Sequence, residues 1–191
     1  MQKQSGRPRQ QELNERILNA AITLGRELGY EQVTVQMVAD AAQVGRQSIY
    51  RRWPSKEEMM ADALLLHASD VVNVRFSRLS ESAEVNICGM FCEMAKLLGD
   101  DGVLTKEFLI AAQNQPALQQ IYVEKIATPW IANISKFMDG INPSLDPSLL
   151  HTMATMIQST FMYQLLIGQE LDRAFCEKLA AVVCPQILRG F

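Results

Sequence analysis

Apolar residues along this chain recur every three to four positions almost from end to end, and no stretch alternates with the period of two that a half-buried strand requires. The pattern predicts an all-α protein of about nine helices. Leu13, Ile17, Ala20, Leu24 and Leu28 trace the stripe of a first helix over 11–28, and Gly29 stands just past it as a helix stop. Val35, Val38, Ala39 and Ala42 mark a short second helix, preceded by Thr34, a residue type that caps helix starts. A third follows almost at once, with Ile49 and Trp53 on its inner face and Arg46, Gln47, Ser48, Arg51 and Arg52 left for the outside. Ser55, with Glu58 three residues later, forms a capping box that opens a long fourth helix to about Phe76.

Beyond it the period predicts helices over 81–98, 104–113, 116–138, 147–167 and 172–188. Asp100-Asp101-Gly102, the run 114–116 and the run 139–147 punctuate them, and Asp146-Pro147 is a cap followed by Pro at the first helical position. Pro129 should kink or split the helix that contains it. The last two patterns are apolar on more than one face. Leu150, Ala154, Ile157, Phe161 and Leu165 form one stripe, and Leu149, Met153, Met156, Thr160 and Tyr163 its neighbour; the final helix adds Phe175, Leu179, Val182 and Val183. Two apolar faces in so small a chain point to a second partner surface.

The 191 residues hold 48% apolar and 20% charged side chains, the proportions of an ordinary globular chain. No run approaches the ~18 apolar residues of a membrane span. The opening MQKQSGRPRQQ carries charge with no apolar segment after it, so no secretory signal is expected and the cytoplasm is the expected compartment. Four cysteines, without a histidine or second pair at zinc spacing, read as small buried hydrophobes; no metal and no cofactor is expected. A net charge of −3 argues against nucleic acid until the chain is divided. Residues 1–60 carry nine Lys or Arg against seven Asp or Glu, and residues 61–191 carry nine against fourteen. Between Ala41 and Lys56 stand four basic residues and no acid, and the local face decides what binds there.

Two short helices joined by a tight turn form a helix-turn-helix, whose second helix enters the DNA major groove. Arg and Gln make bidentate contacts to guanine and adenine. The run Ser48-Ile49-Tyr50-Arg51-Arg52-Trp53-Pro54-Ser55-Lys56-Glu57, with Gly29-Tyr30, Thr34 and Val38-Ala39 upstream, resembles the signature of TetR-family transcriptional regulators over about the first 62 residues. Two positions depart from it: Gln43 stands where the family usually has Gly in the turn, and Gly45 where it usually has a Ser or Thr cap.

The resemblance implies DNA contact by Thr34, Arg46, Gln47, Ser48, Tyr50, Arg52 and Lys56, with Arg46 and Gln47 toward bases and Tyr50, Arg52 and Lys56 toward phosphates. It implies a helix-turn-helix domain over 1–55 and a larger helical ligand-binding and dimerisation domain over 56–191. Residues 1–10 form a flexible arm, and Ser5-Gly6-Arg7-Pro8-Arg9 is either a minor-groove arm or a terminus that helps through charge alone. In such regulators the last two helices pair with those of a second copy, which assigns the seam to Leu150, Ala154, Ile157, Phe161, Leu165, Phe175, Leu179 and Val182. A pocket for an apolar or aromatic effector would be lined by Met90, Phe91, Met94, Phe108, Trp130 and Met153, with the fourth helix touching it around Leu65, His67 and Val71 and carrying the signal to the DNA. Each of these could equally be a core residue.

The expected function is thus a ligand-responsive repressor that binds a pseudo-palindromic operator as a homodimer. The alternative is an architectural or cell-division DNA-binding protein of the same fold that senses no small molecule. No nucleophile elbow, phosphate loop, HExxH pair or acid–base carboxylate spacing marks an enzyme.

Overall fold

The computed structural model describes residues 7–75 and 82–189, with side-chain surroundings for 10–67 and 82–189. Among them every regular element is helical: α1 (Arg7–Leu28), α2 (Val35–Ala41), α3 (Arg46–Tyr50), α4 (Lys56–Arg75), α5 (Ala83–Gln113), α6 (Pro116–Tyr122), α7 (Thr128–Ile141), α8 (Pro147–Leu166) and α9 (Arg173–Arg189). A π turn, Val123–Ala127, joins α6 to α7. No helix of the described residues is long and apolar enough to cross a membrane.

The predicted caps form. Thr34 Oγ1 accepts from Met37 N at 3.2 Å, Ser55 Oγ from Glu58 N at 3.1 Å, and Asp146 Oδ1 from Ser148 N at 2.9 Å. Gly29 ends α1 with φ +85°, which its missing Cβ permits.

Two expectations change. Helix α1 begins at Arg7, so part of the expected flexible arm is helical; Ser5 and Gly6, and the side chains of Arg7, Pro8 and Arg9, lie outside the described residues, as do Phe76 and the side chain of Val71. The break expected at Asp100-Asp101-Gly102 is absent, and α5 passes through it without interruption. Low helix propensity predicted that break, and tertiary contacts override it. Asp101 is held by Arg26 of α1, and Gly102 sits under Leu165, whose Cδ1 would stand 2.8 Å from any added Cβ. Conversely, the helix containing Pro129 does split: the π turn precedes this proline, which lies in the first turn of α7, where a missing N–H costs least.

Two cores result. The first joins Ile17, Ile22, Val38, Ile49 and Trp53 to Met59, Met60, Leu104, Phe108 and Leu118, so it crosses the boundary drawn at residue 55. The second packs α5 against α7, α8 and α9 through Met90, Phe91, Met94, Trp130, Phe137, Met153 and Phe161. Of the four cysteines expected to be buried, Cys176 and Cys184 are, and Cys88 and Cys92 are half-buried; burial raises the thiols of Cys88 and Cys184 and pushes that of Cys176 up to about 12.

The second core also corrects the seam. Leu150, Ala154, Ile157 and Phe161 are at most 5% exposed within the single chain. The Phe161 ring lies 5.9 Å from that of Phe91 and 5.2 Å from that of Phe175. This stripe is already covered; Leu165, Phe175 and Leu179 are half-buried against the same core, and of the residues assigned to the seam only Val182 is fully open, at 67%. Of the neighbouring stripe on α8, Met156 at 64% and Tyr163 at 60% are open to solvent, while Met153 is buried in the second core.

Candidate nucleic-acid interface and an adjoining cavity

Helix α3 owes its orientation to Ile49 and Trp53, both buried, and to a turn whose Gln43 adopts φ +53°. Val44 N donates to Ala39 O at 2.9 Å across that turn. Gly45 caps α3 without a side-chain bond. The consequence is a free outer face: Arg46, Gln47, Tyr50 and Arg51 are exposed side by side, and Thr34 is exposed at the start of α2. Thr34 accepts from the backbone, which leaves its hydroxyl hydrogen to donate outward.

Arg52, Ser48 and Lys56 are placed differently from expectation. Arg52 turns back to α1: its Nε donates to Asn14 Oδ1 at 2.5 Å, and its Nη1 to Ser48 O at 2.6 Å and Ser48 Oγ at 2.9 Å. Lys56 Nζ donates to Tyr30 O at 3.1 Å and sits 4.3 Å over the Tyr30 ring. These side chains hold the reading head together, and no property of their own segment distinguishes that role from phosphate contact. Arg51, expected on the outer face though outside the set expected to touch DNA, is exposed there beside Arg46 and Gln47.

The head is tied to the body in three places. Trp53 Nε1 donates to Asp62 Oδ2 at 2.8 Å, and Lys125 of the π turn donates to Asp62 Oδ1 at 2.9 Å and to Glu58 Oε2 at 3.4 Å. Burial pulls the Lys125 ammonium down, but its bond to Asp62 and the two carboxylate charges outweigh this and leave it raised. At the end of α1, Glu107 accepts from Tyr30 N at 2.6 Å, and Phe108 meets the Tyr30 ring edge-on at 5.1 Å. Burial first, then Glu57, raises the Tyr30 phenol.

The third tie is Arg26 Nε to Asp101 Oδ1, 2.6 Å; this bond raises the guanidinium. Asp101 also lines a cavity between α4, α5, α6, the π turn, α7 and α8, together with Leu64, Leu65, Leu97, Thr105, Tyr122, Ile126, Trp130, Gln158 and Met162. It leaves about 20 Å³ for the centre of a water molecule, room for about one water. Of the residues expected around a pocket, Trp130 and Leu65 line it. Met90, Phe91, Met94 and Met153 fill the second core instead, and Phe108 lies in the first. Apolar character marked both sets alike; the signal for the cavity was polar, since Asp101, Thr105 and Gln158 are the buried polar side chains among the described residues and all three face it. Among the described residues, no group of His, Cys, Asp or Glu is placed to hold a metal ion.

Residues 17–63 match the family model described as bacterial regulatory proteins, tetR family. The HTH-type transcriptional regulator YdeS of Bacillus subtilis is 27% identical over 94% of this chain and 91% of its own. The HTH-type transcriptional regulator Rv2250c of Mycobacterium tuberculosis is 30% identical over 83% and 85%. Among solved structures, the TetR-family regulator SCO0332 superposes with a TM-score of 0.75 at 20% identity, covering 90% of this chain and 96% of that one. The multidrug binding protein EbrR, solved with proflavin, superposes with a TM-score of 0.57 at 18% identity, covering 89% and 98%.

Proposed function

Because the chain belongs to the TetR family of bacterial transcriptional regulators, we propose that it is a cytoplasmic repressor that binds a pseudo-palindromic operator as a homodimer and leaves it when a small effector opens the cavity. One observation carries this reading. The cavity wall includes α4 and the π turn, the two elements that hold Trp53 through Asp62 and Lys125. With room for about one water, the cavity can admit a larger molecule only by displacing those walls. Such displacement moves the support of α3, so effector and operator favour different arrangements, which is the condition for release. EbrR, of similar fold, is a multidrug binding protein solved with proflavin and with ethidium, which supports a body that houses a small molecule.

The second copy is supported by the open face of α8 and α9. Met156, Tyr163, Ile167, Val182 and Leu188 are each between 45% and 67% exposed, and a self-complementary apolar face closes with two-fold symmetry. Two readers on one duplex would then require half-sites about one helical turn, or a multiple of it, apart.

The test is selection of genomic DNA fragments on the purified chain, followed by challenge of the retained complex with fractionated cell extract. A few fragments sharing an inverted repeat, freed by a small molecule, are the expected result. Many unrelated fragments that no fraction releases would show the architectural alternative instead.

A further inference from the structure

Asp101 is 3% exposed, and its two oxygens differ in company. Oδ1 accepts from Arg26, whereas Oδ2 is buried with no hydrogen-bond partner. His67 Nδ1 lies 3.6 Å from Oδ2, beyond hydrogen-bond length, and 3.2 Å from Arg26 Nη2, from which it can accept. A buried acceptor left unmet costs on the order of 1–3 kcal/mol, more when it is ionised, so its persistence calls for an occupant. The Arg26 side chain is 38% exposed and its charge is screened by water, while the carboxylate faces an interior of Leu64, Leu97, Ile126 and Trp130. What Asp101 leaves open beside the cavity is therefore a carboxylate oxygen that lacks a donor. An anionic molecule is repelled there, and a neutral donor gains only part of what a cationic one does.

Resting on the effector reading above, we propose that the cavity selects a small cation, an apolar or aromatic body carrying one charged N–H group, and that Asp101 Oδ2 accepts from that group. Thr105 and Gln158, the other buried polar side chains of the wall, complete the polar end, and Trp130, Leu97 and Ile126 meet the body. The arrangement also makes Asp101 a shared counter-ion. Its other oxygen holds α1 of the DNA-reading head, so an arriving cation competes with Arg26 for one carboxylate.

Titration calorimetry of the full chain with biphenyl-4-carboxamidine, a cation, and biphenyl-4-carboxamide, its neutral isostere, decides the matter. The wild type should bind the amidine at least about tenfold more tightly, the worth of one charge-assisted bond. Asp101→Asn should erase that preference, costing the amidine at least about tenfold more affinity than it costs the amide. Arg26→Gln, which breaks the same tie to α1 but keeps the carboxylate, should retain the preference. A preference that survives Asp101→Asn, or is lost equally in Arg26→Gln, overturns the assignment. So does a wild type that binds neither compound or both alike; Oδ2 is then met by one buried water. Operator affinity unchanged at saturating amidine, with the Asp101-dependent preference intact, would sink the effector reading and leave the cation site standing.

Discussion

The reading head and the cavity, a few turns of helix apart, treat their polar groups in opposite ways. In the head, the half-buried polar side chains around α3 are paired: Arg52 with Asn14 and Ser48, Lys56 with Tyr30, Trp53 with Asp62. What remains open there is a surface of Arg46, Gln47, Tyr50 and Arg51 on a fixed support. Around the cavity the walls are apolar and a buried carboxylate oxygen stands without a partner. A satisfied network holds one geometry, as reading base edges demands; an unsatisfied one leaves free energy for a ligand to recover.

The comparison breaks most visibly in the body's core. Phe161→Ala should destabilise the chain by about 3–5 kcal/mol, since it empties a fully buried site between two other rings. Chemical denaturation reads this directly. Val182→Arg and Tyr163→Glu, on the open face, should leave that midpoint nearly unchanged while sedimentation shows monomers and operator binding falls. If Phe161→Ala unfolds no more easily than wild type while Val182→Arg does, the inner and outer faces of α8 and α9 have been exchanged.

Next in size are the readers. Arg46→Ala and Gln47→Ala should each cost about 1–3 kcal/mol on the operator and relax discrimination at defined positions. Arg51→Ala should weaken operator and random DNA alike and lower the slope of log affinity against log salt by about one unit per subunit contact. Lys56→Ala should instead lower stability, because its ammonium is engaged with the carbonyl and ring of Tyr30. Binding isotherms across salt, set beside melting curves, separate the three behaviours; a Lys56→Ala chain of full stability that loses one unit of salt slope would return that residue to the phosphate set.

How far the chain could be read in advance follows from the range of the forces involved. Helices α1 to α4, apart from the first turn of α1, their caps at Thr34 and Ser55 and the exposed Arg46 and Gln47 of α3 are local consequences of period and side-chain chemistry, and these were legible. The role of Arg52 was not, because its partner Asn14 is 38 residues away. Asp101-Gly102 was misread as a break for the same reason, its partner Arg26 being 75 residues distant. On α8, helical period marked two apolar stripes, but it is silent on which one faces the chain's own core, and Met153, placed on the second, is buried with the first. Locally unfavourable residues inside a helix mark places where tertiary contacts compensate for them, here Asp101 at the cavity wall.

The smallest effect sharpens the comparison from the head's side. Gln43 holds φ +53°, a left-handed conformation that disfavours any residue with a Cβ by about 1 kcal/mol. Gly is free of that strain but gives the unfolded chain more entropy to lose, so Gln43→Gly should stabilise the protein by a few tenths to about 1 kcal/mol. Operator affinity should not change, because Gly adopts the same left-handed turn, and Ile49 and Trp53 lock α3 from beneath. Thermal denaturation and an operator isotherm on the same preparation test both halves. Higher stability with weaker operator binding would mean that the strained turn itself aims α3, and that the head owes part of its geometry to Gln43 rather than to the packed core under it.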